Sequence, residues 1–497
     1  MKRLAKSLPP ARILIWLIWF VLISTGCRTK PGEIVDLARE PVIYPDYSGI
    51  TIPFNIAPMN FVLSEEGDYF KIIVTSSAGT KMEFNSHDKL VKFPAKSWRK
   101  LVEGSKGGRI MIGISTSQKN GKTGRFLPIN MNVAGDPVDP YICYRILYPG
   151  YESWGKMKII QRSLEDFRES SVIENQVLDG NCVNCHAFSQ YDAGNFMIHI
   201  RGSMAGTYFV INDTLKRTEL RTGTMPGNAV YPSWHPSGKY IAFSSNRIYS
   251  VIHMKPGKNI ELYDRSSMLI LYDPGKNIIS PCTEKDSIPF METYPAWSPD
   301  GKYLYYCRTG QVRPGFDYQK VRYDIYRMAF NEETTRFGSP EKIFDADLIN
   351  KSASFPVISP DGNYLIFVLH NYGSFPGWHK EADLYAIDLR NMDLEKLNVN
   401  SDESESYASW SSNSKWLVFS SKRDDGLHSR LYLAYSDGNG KTGKPFVMPL
   451  KDPSLYNRLD KSFNRPHFIL GRIKAGPRDF ATASKKEAIK AIWSEKR

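Results

Sequence analysis

Hydrophobic positions alternate with polar ones in short runs along most of this chain, which is the period of a half-buried β-strand. Four such runs precede residue 150, with Gly, Pro, Asn and Asp between them: 70–75, 109–114, 127–133 and 141–147. Short strands at this density predict an immunoglobulin-like, β-sandwich-like domain over residues 41–150. Residues 151–187 lack a clean strand period, so we interpret them as a packed connector.

A thirteen-residue pattern then recurs. It occurs as YPSWHPSGKYIAF at 231–243, YPAWSPDGKYLYY at 294–306, FPVISPDGNYLIF at 355–367 and YASWSSNSKWLVF at 407–419. Pro, Asp and Gly at its centre favour a tight turn. The Trp before the turn is large enough to fill the gap between adjacent twisted sheets. Repeats 52 to 63 residues apart, each with several short strands, are typical of β-propeller blades.

Two further segments extend the array. Residues 186–200 follow the same order of aromatic residue, polar turn with Asp and Gly, and alternating strand, and 463–470 supplies a strand of a sixth blade or of the ring closure. We therefore predict an all-β protein with a propeller of five to six blades over 188–470. Helical spacing of apolar residues in 485–494 predicts that the tail, 471–497, ends as a surface helix.

These repeats resemble the WD-like propeller repeats of the TolB family of bacterial envelope proteins, over more than half of the chain. The resemblance implies a binding or scaffolding module that contacts a partner, and it implies no reaction. Similar repeats also cap prolyl oligopeptidases, but the sequence has no G-x-S-x-G elbow and no room for a hydrolase domain after the last repeat. We find no catalytic constellation, so enzymatic activity is left open.

The chemistry of the chain is concentrated in Cys182-Val-Asn-Cys185-His186. This is the C-x-x-C-H pattern of covalent c-type haem attachment, in which the two thiols add to the porphyrin vinyl groups and the His is the proximal iron ligand. A chain of this composition contains the pattern by chance roughly 0.001 times. The alternatives are a reversible disulfide, an empty motif, or half of a zinc site for which the sequence supplies no second half.

A sixth iron ligand is expected from the strand or loop after the motif. Met197, His199 and Met204 are the candidates, and Met197 and His199 lie on one face of their strand because they are two residues apart.

The start of the chain predicts the compartment. A basic stretch precedes a 13-residue apolar run, 13–25, which is short for a membrane span and typical of an export signal. Small residues then lead to Cys27, so 1–27 resembles a lipoprotein signal whose Cys27 is lipidated, with 28–40 as a tether. An ordinary signal with a chance Cys and an uncleaved anchor are the alternatives. The expected location is the bacterial envelope, as a membrane-anchored lipoprotein facing the periplasm or the outer membrane.

The charge of the chain limits the kinds of partner that we expect. The formal net charge is +13, of which four positive charges lie in the leader, and no run of five like charges follows. The chain is therefore not predicted to bind nucleic acid, and membrane contact is expected through the lipid anchor. Two hypotheses remain: an electron-transfer protein with one covalent haem c and its iron, or a haem-free propeller that binds an envelope protein or glycan.

Overall fold

The computed structural model describes residues 34–119, 121–150, 153–252, 260–283, 290–310 and 317–495. Strands dominate it, and their arrangement confirms the predicted all-β propeller. The predicted signal, including Cys27, lies outside the described residues. Part of the predicted tether is ordered, because Ile34–Asp36 pairs in parallel with Thr123–Arg125. Within the described part of the chain, no helix is long and apolar enough to cross a membrane.

The N-terminal domain contains ten strands and one helix: β1 Ile34–Asp36, β2 Ile43–Tyr44, β3 Thr51–Ile52, β4 Phe61–Leu63, β5 Tyr69–Ser76, β6 Lys81–Ser86, β7 Leu90–Val91, α1 Ala95–Glu103, β8 Arg109–Ser117, β9 Thr123–Arg125 and β10 Ile129–Val133. One sheet has seven strands, with β8 between β5 on one side and β9 and β10 on the other, and β2, β4 and β7 form a second sheet. Alternation along β8 buries Ile110, Ile112 and Ile114. These side chains share one core with the small sheet and α1, which is a sandwich-like arrangement.

Six blades form the propeller; blade 3 contains five strands, and each of the others is built on four. The first three strands along the chain belong to the blade that closes the ring, blade 6: β11 Tyr141–Leu147, β12 Met157–Ser163 and β13 Glu169–Glu174. Blade 1 contains β14 Cys182–Phe188, β15 Phe196–Arg201, β16 Gly206–Ile211 and β17 Thr214–Glu219; blade 2 contains β18 Ala229–Trp234, β19 Ile241–Ile252, β20 Ile260–Asp273 and β21 Ile278–Pro281; blade 3 contains β22 Phe290–Trp297, β23 Tyr303–Gly310, β24 Asp324–Asn331, β25 Arg336–Phe337 and β26 Glu341–Phe344. Blade 4 contains β27 Ser352–Ile358, β28 Tyr364–His370, β29 Asp383–Asp388 and β30 Leu394–Lys396, and blade 5 contains β31 Glu405–Trp410, β32 Trp416–Ser421, β33 Arg430–Tyr435 and β34 Phe446–Val447. Short 3-10 helices connect some of these strands: Asn175–Leu178, Tyr318–Lys320, Asp347–Ile349, Pro376–Trp378 and Pro453–Arg458.

The repeat pattern forms the turn that the sequence predicts. The Ser298 hydroxyl accepts a hydrogen bond from the Tyr303 N–H, which closes the turn, and donates one to Asp300 at 2.6 Å. Gly301 adopts φ +71°, the left-handed conformation that favours glycine. Trp297 is buried in the core shared by blades 2 and 3, as predicted for the residue before the turn.

The ring closes through a strand from the far end of the chain. β35, Ser462–Ile469, pairs antiparallel with β11 as the innermost strand of blade 6, so the other three strands of this blade come from residues 141–174. This differs from the predicted boundaries, because β11 belongs to the propeller and the predicted connector 151–187 contains β12, β13 and most of β14. A blade strand that is buried on both faces has no alternating pattern, so the sequence of β12 does not indicate a strand.

The C-terminal tail also differs from the prediction. Its helix, α2, is Pro477–Ser484, and the segment predicted to be helical forms β36, Ile489–Lys490, and β37, Ile492–Trp493. These two strands extend blades 1 and 2 by parallel pairing with β17 and β21. Ala491 and Trp493 pack against the core between these blades, so the apolar spacing of the segment follows a strand period.

Candidate functional site

Every innermost strand of the propeller contains a bulge at the same level of the ring. Two residues of the inner strand face one residue of its neighbour there, as the register shifts show in all six blades. In blades 2 to 6 the first bulge residue has φ between +49° and +54°: Tyr231, Tyr294, Phe355, Tyr407 and Arg465.

These five side chains meet on the ring axis. The centroids of Tyr294 and Phe355 are 4.0 Å apart, and the Phe355 and Tyr407 rings are 4.8 Å apart. The Arg465 guanidinium lies 5.7 Å from the centre of the Tyr231 ring. This axial plug separates a cavity of about 560 Å³ on one side from a cavity of about 350 Å³ on the other. We call the smaller one, which Cys182 lines, the cationic cavity.

In blade 1 the C-x-x-C-H motif occupies the bulge. Asn184 and Cys185 stand where blades 2 to 4 have an aromatic residue and Pro. Asn184 does not have the positive φ of its five counterparts. The haem-attachment pattern therefore lies on the innermost strand of blade 1, where it replaces the repeat's own residues at the ring axis.

The three motif side chains lie in different surroundings. Cys182 lines the cationic cavity, opposite Arg201 on the neighbouring strand. Cys185 is 1% exposed, and its Sγ accepts a hydrogen bond from Arg465 Nη1 at 3.3 Å. His186 is also 1% exposed, with its ring centroid 4.9 Å from that of His467 in blade 6. In the described conformation only Cys182 faces open space.

The His186 ring is held neutral by its position. Burial lowers its pKa well below the usual range, the neighbouring His467, Arg465 and Arg145 lower this pKa further, and the backbone of Cys143 raises it. Neither ring nitrogen has a hydrogen bond of normal geometry to any described residue. Leaving a buried polar atom unsatisfied costs about 1–3 kcal/mol, so these nitrogens are available to a ligand that coordinates them.

Burial also raises the pKa of the Cys182 thiol, although the nearby Arg145 and Arg201 lower it. The thiol form therefore predominates at neutral pH. Cys182 and Cys185 are both free thiols, so the disulfide alternative is not the state described. No group of three or more His, Cys, Asp or Glu side chains in the described part of the chain is arranged to hold a metal ion.

The predicted sixth ligands are not brought to His186. His186 pairs with Ile198 across β14 and β15, so Met197 and His199, which flank Ile198, lie on the opposite face of the sheet. Met197 packs with Trp234 in the core between blades 1 and 2. His199 Nδ1 lies 3.4 Å from the Thr207 hydroxyl, and its other ring nitrogen is buried without a partner among the described residues.

The third candidate, Met204, packs at the edge of the core that contains Cys182 and Val183. The imidazole that the fold brings to His186 is His467 instead. A signal for it exists in the sequence, because His467 follows the bulge residue Arg465 by two positions, as His186 follows Asn184.

The residues present fit a c-type haem in the chemistry of their donors. Two free thiols and a buried imidazole, which has no hydrogen bond of normal geometry to a described residue, stand in the order that the attachment needs. Cys185 and His186 are covered by Arg465 and His467 of the closing strand β35. A haem can therefore reach these two side chains only before this strand packs, or after it opens.

Comparison with known proteins gives only distant likenesses. No protein family model and no curated protein matches the chain. Among solved structures it is similar to hydrazine synthase of Kuenenia stuttgartiensis, with a TM-score of 0.42 and 12% identity over 69% of this chain and 48% of that one. It is also similar to a nidogen/laminin complex chain, with a TM-score of 0.40 and 8% identity over 67% of this chain and 100% of that one. Oligogalacturonate lyase of Vibrio parahaemolyticus gives a TM-score of 0.32 and 12% identity over 57% and 85% of the two chains. Likeness at this level carries no argument about activity.

Proposed function

We propose that this protein is a lipid-anchored β-propeller of the bacterial envelope that carries one covalent c-type haem on Cys182 and Cys185 and works in electron transfer. The observation that carries the proposal is the difference between the residues at the blade 1 bulge and those at the bulges of the other blades. The other blades use an aromatic or Arg residue followed by Pro or Ala at this position, and blade 1 has Asn184-Cys185-His186. The ring itself needs no thiol there, so this departure from the repeat calls for a chemical reason.

The roles of the residues follow from their chemistry. Cys182 and Cys185 form the thioether bonds, and His186 supplies the proximal nitrogen. A bound haem supplies a site that takes up and releases one electron at its iron. His467 is the nearest second imidazole, 4.9 Å from His186 between ring centroids, and we propose it in place of Met197 or His199 as the group that tunes or completes the coordination.

The envelope location supports this chemistry. The basic and apolar leader before Cys27 has the pattern of an exported lipoprotein, and export brings the thiols to the compartment in which c-type haem is attached.

The test is production of the protein together with a cytochrome maturation system. Wild-type protein should keep haem on a denaturing gel, and Cys182→Ala with Cys185→Ala should lose it. Cys282→Ala, which removes a buried thiol outside the motif, is the matched control and should keep it. A wild-type band without haem stain under these conditions would refute the proposal.

A second candidate function is haem-free binding of an envelope protein or glycan by the propeller. The cationic cavity favours it, since this cavity opens on one end of the ring and is lined by positive side chains. The two candidates separate in the same experiment, because the binding function predicts unmodified mass in wild type and variants alike.

A further inference from the structure

The cationic cavity has an unbalanced charge. Its lining includes Arg145, Arg201, Arg465 and Lys422, and no Asp or Glu of the described residues is part of it. Two like charges 4 Å apart repel by about 4 kcal/mol at an effective dielectric constant of 20. Asp425 and Glu403 act on Lys422 from outside the lining, but the three arginines have no acidic residue among the described residues of the cavity wall and therefore favour an anion that enters.

The three arginines are not neutralised elsewhere. None of them lies within ion-pair distance of a carboxylate in the part of the chain that the structure describes. Arg145 donates to Asn464 Oδ1 at 3.1 Å and to Asn184 Oδ1 at 2.5 Å, both neutral amides. Arg465 donates to the Cys185 thiol, and its guanidinium lies 5.8 Å from the centre of the Phe355 ring. Neutral partners thus fix the direction of the Arg145 and Arg465 guanidinium groups without neutralising them.

Aromatic side chains form part of the remaining wall, beside several serines and two asparagines. Trp154, Phe375 and Trp378 line the cavity, and Trp154 is 42% exposed. Lys422 Nζ donates to the Gly377 carbonyl at 2.8 Å and lies 5.0 Å from the centre of the Trp378 ring. Aromatic faces beside fixed guanidinium groups suit a ligand with a flat body and acidic groups at its edge.

We infer that the cationic cavity is a binding site for a flat molecule with two or more carboxylate groups, held by Arg145, Arg201 and Arg465. A guanidinium group binds a carboxylate through two parallel hydrogen bonds, and the low exposure of the site reduces screening by salt. Two sources supply this chemistry: a free polycarboxylate that enters from solvent, and the propionate groups of a haem attached at Cys182. The inference stands without the haem, because the arginines are arranged in the protein described.

The test uses the haem-free protein Cys182→Ser with Cys185→Ser, and benzene-1,3,5-tricarboxylate as the probe. Calorimetric titration at low salt should give one site per chain, while the neutral benzene-1,3,5-tricarboxamide should not bind. Arg201→Gln should weaken the binding by roughly tenfold or more, since a charge-assisted hydrogen bond contributes about 1.5–3 kcal/mol. Arg99→Gln, on an exposed face of α1, is the matched control and should leave the affinity unchanged.

Arg201 is the cleaner position, because its side chain makes no hydrogen bond to any described residue and its removal leaves no partner unsatisfied. Arg145→Gln is the second variant, with its melting curve recorded to confirm folding. No binding to the haem-free protein, or binding that Arg201→Gln and a folded Arg145→Gln leave unchanged, would overturn the inference.

Titration of haem-loaded wild type identifies the source. Retained affinity for the probe means that the arginines serve a free ligand, and lost affinity means that the propionate groups occupy them. Failure of haem attachment leaves this binding experiment intact, so the two proposals fail separately.

Discussion

At the scale of single residues, the ring axis concentrates unusual conformations and unusual burial. Five non-glycine residues at the bulges have positive φ, and sparsely populated conformations of this kind cost on the order of 1–3 kcal/mol each. The packing of the axial plug offsets this cost, since the rings touch from neighbouring blades. Blade 1 departs from this pattern at Asn184, directly before Cys185 and His186, to which we assign haem chemistry together with Cys182.

A buried carboxyl group near the plug gives a pH-dependent prediction. Asp264 accepts hydrogen bonds from Asn246 at 3.1 Å and Ser374 at 2.9 Å, yet burial raises its pKa to about 6. Between pH 4 and 6 the folded protein binds a proton that the unfolded chain does not, so stability falls as pH rises through this window. Through this group, the free energy of unfolding is roughly 3 kcal/mol lower above pH 6 than it is below pH 4.

We therefore expect Asp264→Asn to raise the free energy of unfolding at pH 8 and to change it little at pH 4. Urea unfolding at both pH values measures this, and Asp88→Asn, at an exposed position, is the control. Equal effects of Asp264→Asn at the two pH values would contradict the assigned pKa.

At the scale of elements, the closing strand β35 decides the stability of the ring. It is the innermost strand of blade 6 and pairs with β11 over six residue pairs, so its removal exposes the edge of blade 6 and breaks the circle. A chain that ends at residue 461 should show no cooperative thermal transition.

The matched truncation ends at residue 484 and removes only β36 and β37, which extend blades 1 and 2 by two residue pairs each. It should melt cooperatively at a lower temperature than the full chain. Similar melting of the 461 truncation and the full chain would refute closure by β35.

The same strand covers the motif, which predicts the reactivity of the thiols. The five cysteines of the described residues are at most 7% exposed, and Cys185 lies under Arg465. In haem-free protein with Cys27→Ser, a thiol reagent should therefore label no described thiol except Cys182, which lines the cationic cavity, under native conditions and all five in denaturant. Rapid native labelling of Cys185 would show that β35 opens easily and that haem attachment does not have to precede ring closure.

The sequence predicted the propeller well because each blade repeats a local pattern of turn and alternating strand. It could not predict that Arg465 and His467 lie beside Cys185 and His186, because ring closure brings together residues 280 and 281 positions apart along the chain. The bulge is also not visible in the sequence. It sets the pairing of His186 with Ile198 and thereby places Met197 and His199 on the opposite face of the sheet from His186. The apolar spacing of the tail predicts a helix, whereas the segment forms two short strands that add to existing blades. These strands are too short to show a strand period in the sequence.

At the scale of the whole molecule, a six-bladed ring and a sandwich-like domain share one continuous core. Asp139 of the linking segment accepts hydrogen bonds from the backbone and the hydroxyl of Ser412 in blade 5, at 2.8 and 2.6 Å. The linking segment thus ties the N-terminal domain to blade 5 of the ring.

The proposed anchor is tested on the full chain in its host compartment. Cys27→Ser should move the protein from the membrane fraction to the soluble fraction, since the lipid would be lost with its attachment site. Cys143→Ser, which changes a buried thiol of the propeller, is the control. A Cys27→Ser protein that remains in the membrane fraction would contradict lipidation at this residue.

The most direct test of the central claim is a pyridine haemochrome spectrum of the purified mature protein after production with a cytochrome maturation system. We predict one haem per chain, with the spectrum of a porphyrin whose two vinyl groups have both reacted, and retention of the haem after acid-acetone extraction. A protein without haem absorbance, or one that releases all of its haem on extraction, would contradict covalent attachment at Cys182 and Cys185.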